Sequence, residues 1–289
     1  MKPAPFAYHR PRTLEETLDV LADLGEDGKV LAGGQSLVPL MSMRLSAPPH
    51  IVDVNHLPGL GTVEVDAAAI RVGALARHSE VEHHQAAYDA VPLLRQALRL
   101  VAHPTIRNRG TTVGSLVHGD PAAELPAVLL LLDGSVSLLS ATGPRDVEAS
   151  AFFTGPMETA LRAGELAVAA TFRRPPPGSG TAFVEVARRH GDYAMCGVGA
   201  VVSMGTAPDE ILSARVALVS MGSGPVLVDL DEALEGESLD EETVRTLVDS
   251  AVDPETDIHA SADYRRHLAH VLVRRAVDEA RRNARGRAA

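Results

Sequence analysis

The sequence predicts a protein of mixed helices and strands that is divided into two domains. The chain has 289 residues, and one domain usually takes roughly 100–200 residues. Hydrophobic residues make up 45% of the chain, and segments with helical and strand patterns recur along it, so a sizeable core can form. The proline- and glycine-rich stretch RRPPPGSGT, residues 173–181, does not suit the interior of a helix or strand and marks the expected domain boundary.

The first elements follow from local signals. Thr13, with Glu16 three residues later, has the capping-box pattern of a helix start, and the leucines that follow recur at helical spacing. KVLAGG, residues 29–34, predicts a short buried strand that ends at a pair of glycines. In the helix expected next, SLVPLMSMRL, Ser36 is the predicted N-cap, and Pro39 falls in the first turn, where its missing N–H costs little.

The later elements are expected from the same patterns. Strands are predicted at HIVDVN, AIRVGAL, GSVSLLSA, ELAVAATF, AFVEVARR and ARVALVSM. Helices are predicted over residues 92–102, at DEETVRTLVDSAV and at ADYRRHLAHVLVRRAVDEARRNAR. The basic side of this last helix is expected either to face solvent or to dock to an acidic partner subunit.

Composition argues against several functions. The chain carries 27 basic and 38 acidic residues, a formal charge of −11, with no lysine-rich block, so no nucleic-acid partner is expected. The longest apolar run, AVLLLL, is far shorter than the about 20 residues of a membrane helix, and the N-terminus has no secretory-signal pattern. A single cysteine, Cys196, permits no intrachain disulfide and suits a cytoplasmic protein. One cysteine is also too few for an iron–sulfur cluster, and the absence of HExxH and CxxC spacing predicts no protein-bound metal.

Two glycine-bearing segments each join an extended stretch to a helix. We call LAGGQSL, Leu31–Leu37, the first turn, and RGTTVGSLVHGDPAAE, Arg109–Glu124, the second turn. A helix start exposes N–H groups that attract anions, and glycine lets the backbone approach a phosphate closely. Neither turn has a GxxxxGK[ST] or GxGxxG motif, which disfavours an ATP-type loop or a Rossmann site. Both turns therefore suit a ligand that contains a pyrophosphate, or else they are simply tight connections.

Four segments, in order, carry a family resemblance: AGGQSLVPLMSMRL, IRNRGTTVGSLVHGDPAAELPAVL, RRHGDYAMCGVGAVV and SADYRRHLAHVLVRRA. The chain resembles, over nearly its whole length, the flavin-binding medium subunit of the molybdenum hydroxylases, which include xanthine dehydrogenases, aldehyde oxidases and aerobic carbon monoxide dehydrogenases. The resemblance implies an α+β fold. Its parts are an FAD-binding domain of the vanillyl-alcohol-oxidase (PCMH) type, residues 1–176, with α/β subdomains at about 1–57 and 58–176, and a C-terminal domain of antiparallel sheet and helices, residues 177–289.

The resemblance also implies the residues that bind FAD. It places Leu166 more weakly at this site, and Tyr193 either against the flavin ring or in an ordinary half-buried position. Arg107 and Arg109 are expected either to pair with phosphate or to form structural ion pairs. The implied FAD-binding residues are Leu31, Ala32, Gly33, Gly34, Gln35, Ser36 and Leu37 in the first turn, Thr111, Thr112, Val113, Gly114, Ser115, Asp120 and Glu124 in the second turn, and Leu166 and Tyr193.

The sequence departs from the family at Val113, where a glycine is frequent. Either the backbone there is ordinary and only Gly114 must be glycine, or the extra side chain weakens FAD binding. The first alternative is the expected one.

The implied function is electron transfer. Substrate is oxidised at a molybdenum centre on a large molybdopterin subunit, and iron–sulfur clusters on a small subunit pass the electrons to FAD on this chain. The acceptor is NAD⁺, a quinone or oxygen, the assembly is a dimer of heterotrimers, and no side chain is assigned a catalytic role. The alternatives are a stand-alone flavoenzyme with His118 or His190 as its base, and a scaffold subunit that has lost FAD.

Overall fold

A computed structural model describes residues 2–207, 210–235 and 238–288, with side chains to residue 286. Its first part is a small parallel sheet covered by a helix. The strand order is β1-β3-β2, and both neighbouring pairs are parallel. The elements are β1 (Ala7–His9), α1 (Leu14–Leu24), β2 (Gly28–Leu31), α2 (Leu37–Ser42) and β3 (His50–Asp53).

The second part is a five-stranded antiparallel sheet with several short helices. Its strand order is β4-β5-β10-β6-β7, so the strand nearest the C-terminus lies at its centre. The strands are β4 (Val63–Val65), β5 (Ala69–Gly73), β6 (Ser135–Ser140), β7 (Gly143–Glu148) and β10 (Leu166–Arg173), with the hairpin β8 (Phe153–Gly155) and β9 (Glu158–Thr159) beside them. The helices are α3 (His78–His83), α4 (Gln85–Ala90), α5 (Pro92–Leu98), α6 (Pro104–Arg107), α7 (Thr112–His118), α8 (Glu124–Leu131) and α9 (Ala149–Phe152).

The third part is a four-stranded antiparallel sheet, ordered β11-β12-β13-β14, with a long helix packed on one face. A short hairpin and a second helix complete it. The elements are β11 (Ser179–Ala187), β12 (Ala194–Met204), β13 (Ile211–Val219), β14 (Val226–Asp229), β15 (Leu234–Glu235), β16 (Ser238–Leu239), α10 (Glu241–Ala251) and α11 (Ala262–Ala288).

The main hydrophobic core lies around α8. This helix is apolar on all sides and is buried almost throughout, as expected for a helix enclosed by protein. It packs against α5 and against β12 and β13 of the third sheet, so the second and third parts share one core. The start of α8 and the helix before it are therefore held in a rigid setting.

Strand β11 separates two cores by simple alternation. Ala182 packs into the core beneath α11, whereas Phe183 packs into the main core around α8. Successive side chains of a strand point to opposite faces. Glu185 therefore shares the face of Phe183 and points towards the second part of the molecule.

Most of the predicted elements are present, and the α+β fold class is confirmed. The N-cap of α1 is confirmed: Thr13 accepts a hydrogen bond from the amide of Glu16 at 3.1 Å. Several local expectations were wrong. The helix predicted at SLVPLMSMRL ends at Ser42. The helix predicted over residues 92–102 ends at Leu98. Ser36 makes no capping hydrogen bond, and the proline-rich stretch does not remain irregular to its end, because β11 already begins at Ser179.

Candidate functional site

The first turn leaves β2 and enters α2 with its backbone amides unused. Gly34 takes a positive φ of 71°, a conformation that glycine adopts without strain. No acceptor in the described part of the chain takes the amide N–H groups of residues 33–37. The hydroxyl of Ser36 likewise has no hydrogen-bond partner there, while the Gln35 amide donates to the Gly33 carbonyl at 2.9 Å. The turn therefore presents a run of free donors, which suits an anion.

The second turn is more strongly braced. Thr111 is buried and caps α7 by accepting a hydrogen bond from the Gly114 amide at 3.2 Å. Thr112 is fully buried, and its amide donates to the Ala76 carbonyl at 3.3 Å. Ser115 is half-buried on α7, and no described residue hydrogen-bonds its hydroxyl. The cap and the backbone bond fix the start of this helix, which leaves Ser115 available to a ligand.

The two turns pack directly against each other. A Cβ on Gly33 would collide with the carbonyl oxygen of Arg109 and would lie 2.8 Å from the Cα of Gly110. On its other side Gly110 meets the ring of His78, whose amide donates to the Gly110 carbonyl at 2.9 Å. Burial of His78 lowers its pKa to about 4, so this ring is neutral at physiological pH. The turns meet backbone to backbone: this contact requires glycine at position 33, and the His78 ring on the other side leaves no space for a side chain at position 110.

The side chains of Asn55 and Arg77 connect the two turns. Neither residue was predicted from the sequence. Asn55 donates to the Ala32 carbonyl at 2.8 Å and accepts a hydrogen bond from Arg77 at 2.8 Å. Arg77 also donates to the Arg109 carbonyl at 2.7 Å. These residues carry no local motif, because their partners lie 22 to 32 positions away along the chain.

Val113 lies in α7 with its side chain in the main core and is 2% exposed. Its backbone is helical and it is not among the residues with positive φ. Its side chain therefore points away from the surface that the free amides line. Compared with the glycine frequent in the family, the valine side chain fills space in the main core.

Three predicted leucines lie at or beneath the first turn. Leu31 ends β2, and Leu37 begins α2. Leu166 is 3% exposed in the core cluster that also borders Ala32, so it supports the first turn from beneath.

Asp120, Glu124 and Tyr193 gather at the far end of the second turn. Glu124 is 6% exposed at the start of α8, and burial, with the nearby Asp120 carboxylate, raises its pKa to about 7. Tyr193 lies on the β11–β12 loop and is 59% exposed. Loss of hydration around its hydroxyl, and then the Asp120 carboxylate, raise the pKa of Tyr193. These groups form an acidic pocket, in which Glu124 keeps a proton in part of the population at neutral pH.

Glu185 adds a third carboxyl to this pocket from β11. Burial, and then the charge of Glu124, raise its pKa to about 8. Its Oε2 is buried without a hydrogen-bond partner. The strand was predicted from the sequence, but the closeness of Glu185 to Glu124 depends on tertiary packing, in which α5 contacts β11 and α8 contacts the neighbouring strand β12.

The two predicted arginines have different surroundings. Arg107 is 9% exposed; it pairs with Glu82 at 2.9 Å and donates to the Val101 carbonyl at 3.0 Å. This is the structural ion pair that was one of the two expectations. The Arg109 side chain is exposed. Arg109 contributes to the contact between the turns through its backbone carbonyl, which accepts a hydrogen bond from Arg77.

A cavity of about 1040 Å³ opens beside Asp120 and Tyr193. Phe153 of the hairpin, Ser220 after β13 and Arg265 of α11 also line it. It has room for a small molecule next to the acidic pocket.

Within the described residues, no cluster of three or more His, Cys, Asp or Glu side chains could hold a metal ion. No described helix is long and apolar enough to cross a membrane.

Comparison with known families matches two models in succession. The FAD binding domain in molybdopterin dehydrogenase matches residues 4–172, and the CO dehydrogenase flavoprotein C-terminal domain matches residues 181–280.

Similar proteins match over almost their whole length. The chain is 38% identical to the 6-hydroxypseudooxynicotine dehydrogenase complex subunit alpha of Paenarthrobacter nicotinovorans, over 99% of this chain and 97% of that protein. It is 31% identical to the carbon monoxide dehydrogenase medium chain of Afipia carboxidovorans, over 98% of this chain and 99% of that protein. Among solved structures, quinoline 2-oxidoreductase from Pseudomonas putida 86 superposes with a TM-score of 0.90 at 35% identity, over 98% and 99% of the two chains.

Proposed function

The chain belongs to the FAD-binding medium subunits of the molybdenum hydroxylase family, and on that premise we propose that it is the electron-transfer subunit of a three-component complex. It is an FAD-dependent oxidoreductase subunit. In this proposal an iron–sulfur partner delivers electrons from a molybdopterin subunit, and FAD on this chain passes them to an external acceptor. The assembly is a dimer of such heterotrimers in the cytoplasm. The proposed domain limits are residues 1–176, with subdomains near 1–57 and 58–176, and residues 177–289.

One observation carries the proposed site: the two turns meet at Gly33 with no space for a side chain, beside a run of unused amides. A diphosphate requires close backbone approach and free N–H donors. The residues therefore fit FAD. In the proposed site, the amides of residues 33–37 and the Ser36 hydroxyl hold the diphosphate, and Thr111 fixes the second turn so that Ser115 faces the ligand.

When bound, FAD supplies the redox chemistry, and the protein supplies position and electrostatics. In this proposal Asp120 and Glu124 bind polar groups of the cofactor beyond the diphosphate. Glu124, with a pKa of about 7, holds a proton in part of the population at neutral pH and can then donate a hydrogen bond. Tyr193 is proposed to lie beside the flavin ring, and the adjoining cavity admits the acceptor.

The test combines a spectrum with reconstitution. The purified chain is titrated with FAD and reduced with dithionite; flavin absorption bands that bleach on reduction are expected. The substrate of the complex is then added to the chain alone and to the assembled complex. Flavin bleaching that occurs in the complex but not in the isolated chain supports electron transfer from the partner subunits. Bleaching by substrate in the isolated chain would overturn the proposal in favour of a stand-alone flavoenzyme.

A further inference from the structure

The side chain of Arg77 lies between the first and second turns. Its guanidinium donates to the Arg109 carbonyl at 2.7 Å and to the Asn55 side-chain oxygen at 2.8 Å. Asn55 in turn donates to the Ala32 carbonyl at 2.8 Å. Gly33, the next residue, packs against the same Arg109 carbonyl. The contacts form a closed ring that contains one backbone segment from each turn.

The position of Arg77 is itself fixed from its backbone. Its amide donates to Glu80 Oε2 at 2.8 Å, and it lies opposite Thr111 in an isolated antiparallel bridge. Hydrogen bonds from the His78 amide to the Gly110 carbonyl, at 2.9 Å, and from the Thr112 amide to the Ala76 carbonyl, at 3.3 Å, flank this bridge. The backbone of Arg77 is therefore attached to the second turn, and its side chain reaches across to the first.

The charge of Arg77 is not neutralised by a carboxylate. Both acceptors of its guanidinium are neutral oxygens, and it forms no ion pair within residues 2–207, 210–235 and 238–286. The Asp53 carboxylate is one hydrogen bond removed: it accepts from Asn55 at 2.7 Å and also from Tyr8. Arg77 is half-buried, where charges are screened less than at an open surface. A cation of this kind beside a run of free amides favours an anion.

We propose that Arg77 is a positioning residue for the diphosphate of FAD: it clamps the two turns at the spacing that the cofactor needs and contributes positive charge to their junction. This inference rests on the proposed function, in which the two turns bind the diphosphate. The planar fork of arginine can serve two acceptors in fixed directions, whereas the single ammonium of lysine cannot hold that geometry. Geometry and charge can therefore be separated by substitution.

The variants are Arg77→Lys, which keeps the charge, and Arg77→Gln, which removes it. Arg99→Lys and Arg99→Gln are matched controls, because Arg99 is exposed and makes no side-chain hydrogen bond in the described structure. FAD dissociation constants are measured on the apo protein by flavin fluorescence at low and high NaCl. Thermal unfolding of each apo protein is recorded in parallel.

We expect Arg77→Lys to weaken FAD binding about tenfold and Arg77→Gln to weaken it further, with both Arg99 variants within about twofold of the parent. Arg77→Gln should also lose part of the salt dependence, which Arg77→Lys keeps, because screening acts on the charge. A purely structural role would lower the apo unfolding temperature without changing the salt dependence. That result, or unchanged FAD binding in both variants, would overturn the inference.

Asn55→Ala supplies a second route if the Arg77 variants fold poorly. It removes the opposite half of the ring and leaves the charge in place, so it should weaken FAD binding with the parent's salt dependence. FAD binding unchanged in Asn55→Ala would argue against the clamp. Failure of the parent protein to bind FAD would instead overturn the proposed function, which separates the two outcomes.

Discussion

The Cα of Gly33 lies against the carbonyl oxygen of Arg109, so that the two turns touch through their backbones. Neither partner of this contact is a flexible side chain. Strain from an added atom therefore cannot be relieved by a rotamer change and must separate the turns. The glycine is required by a long-range contact as well as by the shape of its own turn.

Gly33→Ala is expected to weaken FAD binding at least tenfold and to lower the free energy of unfolding by about 1–3 kcal/mol, as in other overpacked sites. Gly61→Ala is the matched control, since a Cβ there meets nothing within 4 Å and Gly61 has no positive φ. Urea unfolding and FAD titration measure both effects. Parent-like FAD affinity in Gly33→Ala would show that the turns do not jointly hold the cofactor.

Local chemistry explains what the sequence could predict. The signals of glycines, hydroxyls and helix starts depend on residues close together in the sequence. The two turns and the cap at Thr13 could therefore be identified from the sequence alone. The end of α5 was not, because Leu100 and Val101 continue the apolar pattern beyond the last helical residue and pack against the main core outside the helix. Here, tertiary packing outweighed periodicity.

Side chains that act across the fold were not identifiable. Arg77 and Asn55 look like ordinary polar residues, since nothing near them in the sequence indicates that they meet between the turns. Glu185 lies in a strand that was predicted, but its carboxyl comes near Glu124, 61 positions away, only through the packing of the third sheet against α5 and α8. A single sequence contains no signal for such pairings.

Val113→Gly tests the departure from the family pattern. Val113 packs in the main core and its backbone is helical, so glycine would leave a cavity and add backbone entropy to the unfolded state. We expect a loss of about 2–4 kcal/mol in unfolding free energy and no gain in FAD affinity. Val113→Ala, which keeps the Cβ, should lose less. A large rise in FAD affinity in Val113→Gly would show that the valine obstructs the cofactor.

The pair Glu124 and Glu185 predicts how stability depends on pH. Burial raises their folded-state pKa values to about 7 and about 8, above the 4.5 of an exposed glutamate. Between pH 4.5 and 8 the folded chain therefore binds more protons than the unfolded chain. Their contribution to stability is full below pH 4.5, falls as the pH rises through this window, and is lost above about 8.

Glu124→Gln and Glu185→Gln are expected to reduce this fall, each by about 1–3 kcal/mol between pH 5 and pH 8.5. The other glutamate of the pair still titrates in each variant, so some pH dependence should remain. Glu64→Gln, at an exposed position on β4, is the control and should follow the parent. Urea unfolding at several pH values gives the measurement, and a slope unchanged in both variants would contradict the assignment.

Tyr193 gives the most direct test of where the flavin ring lies. The side chain is 59% exposed, so truncation should lower the unfolding free energy of the protein by less than about 0.5 kcal/mol. A ring placed against Tyr193 would be quenched by it, so flavin fluorescence should rise in Tyr193→Ala and stay near the parent level in Tyr193→Phe. Tyr264→Ala removes another exposed tyrosine, at 45% exposure, and should leave the fluorescence unchanged. Equal fluorescence in the parent and Tyr193→Ala, with FAD bound to both, would place the flavin ring away from this loop.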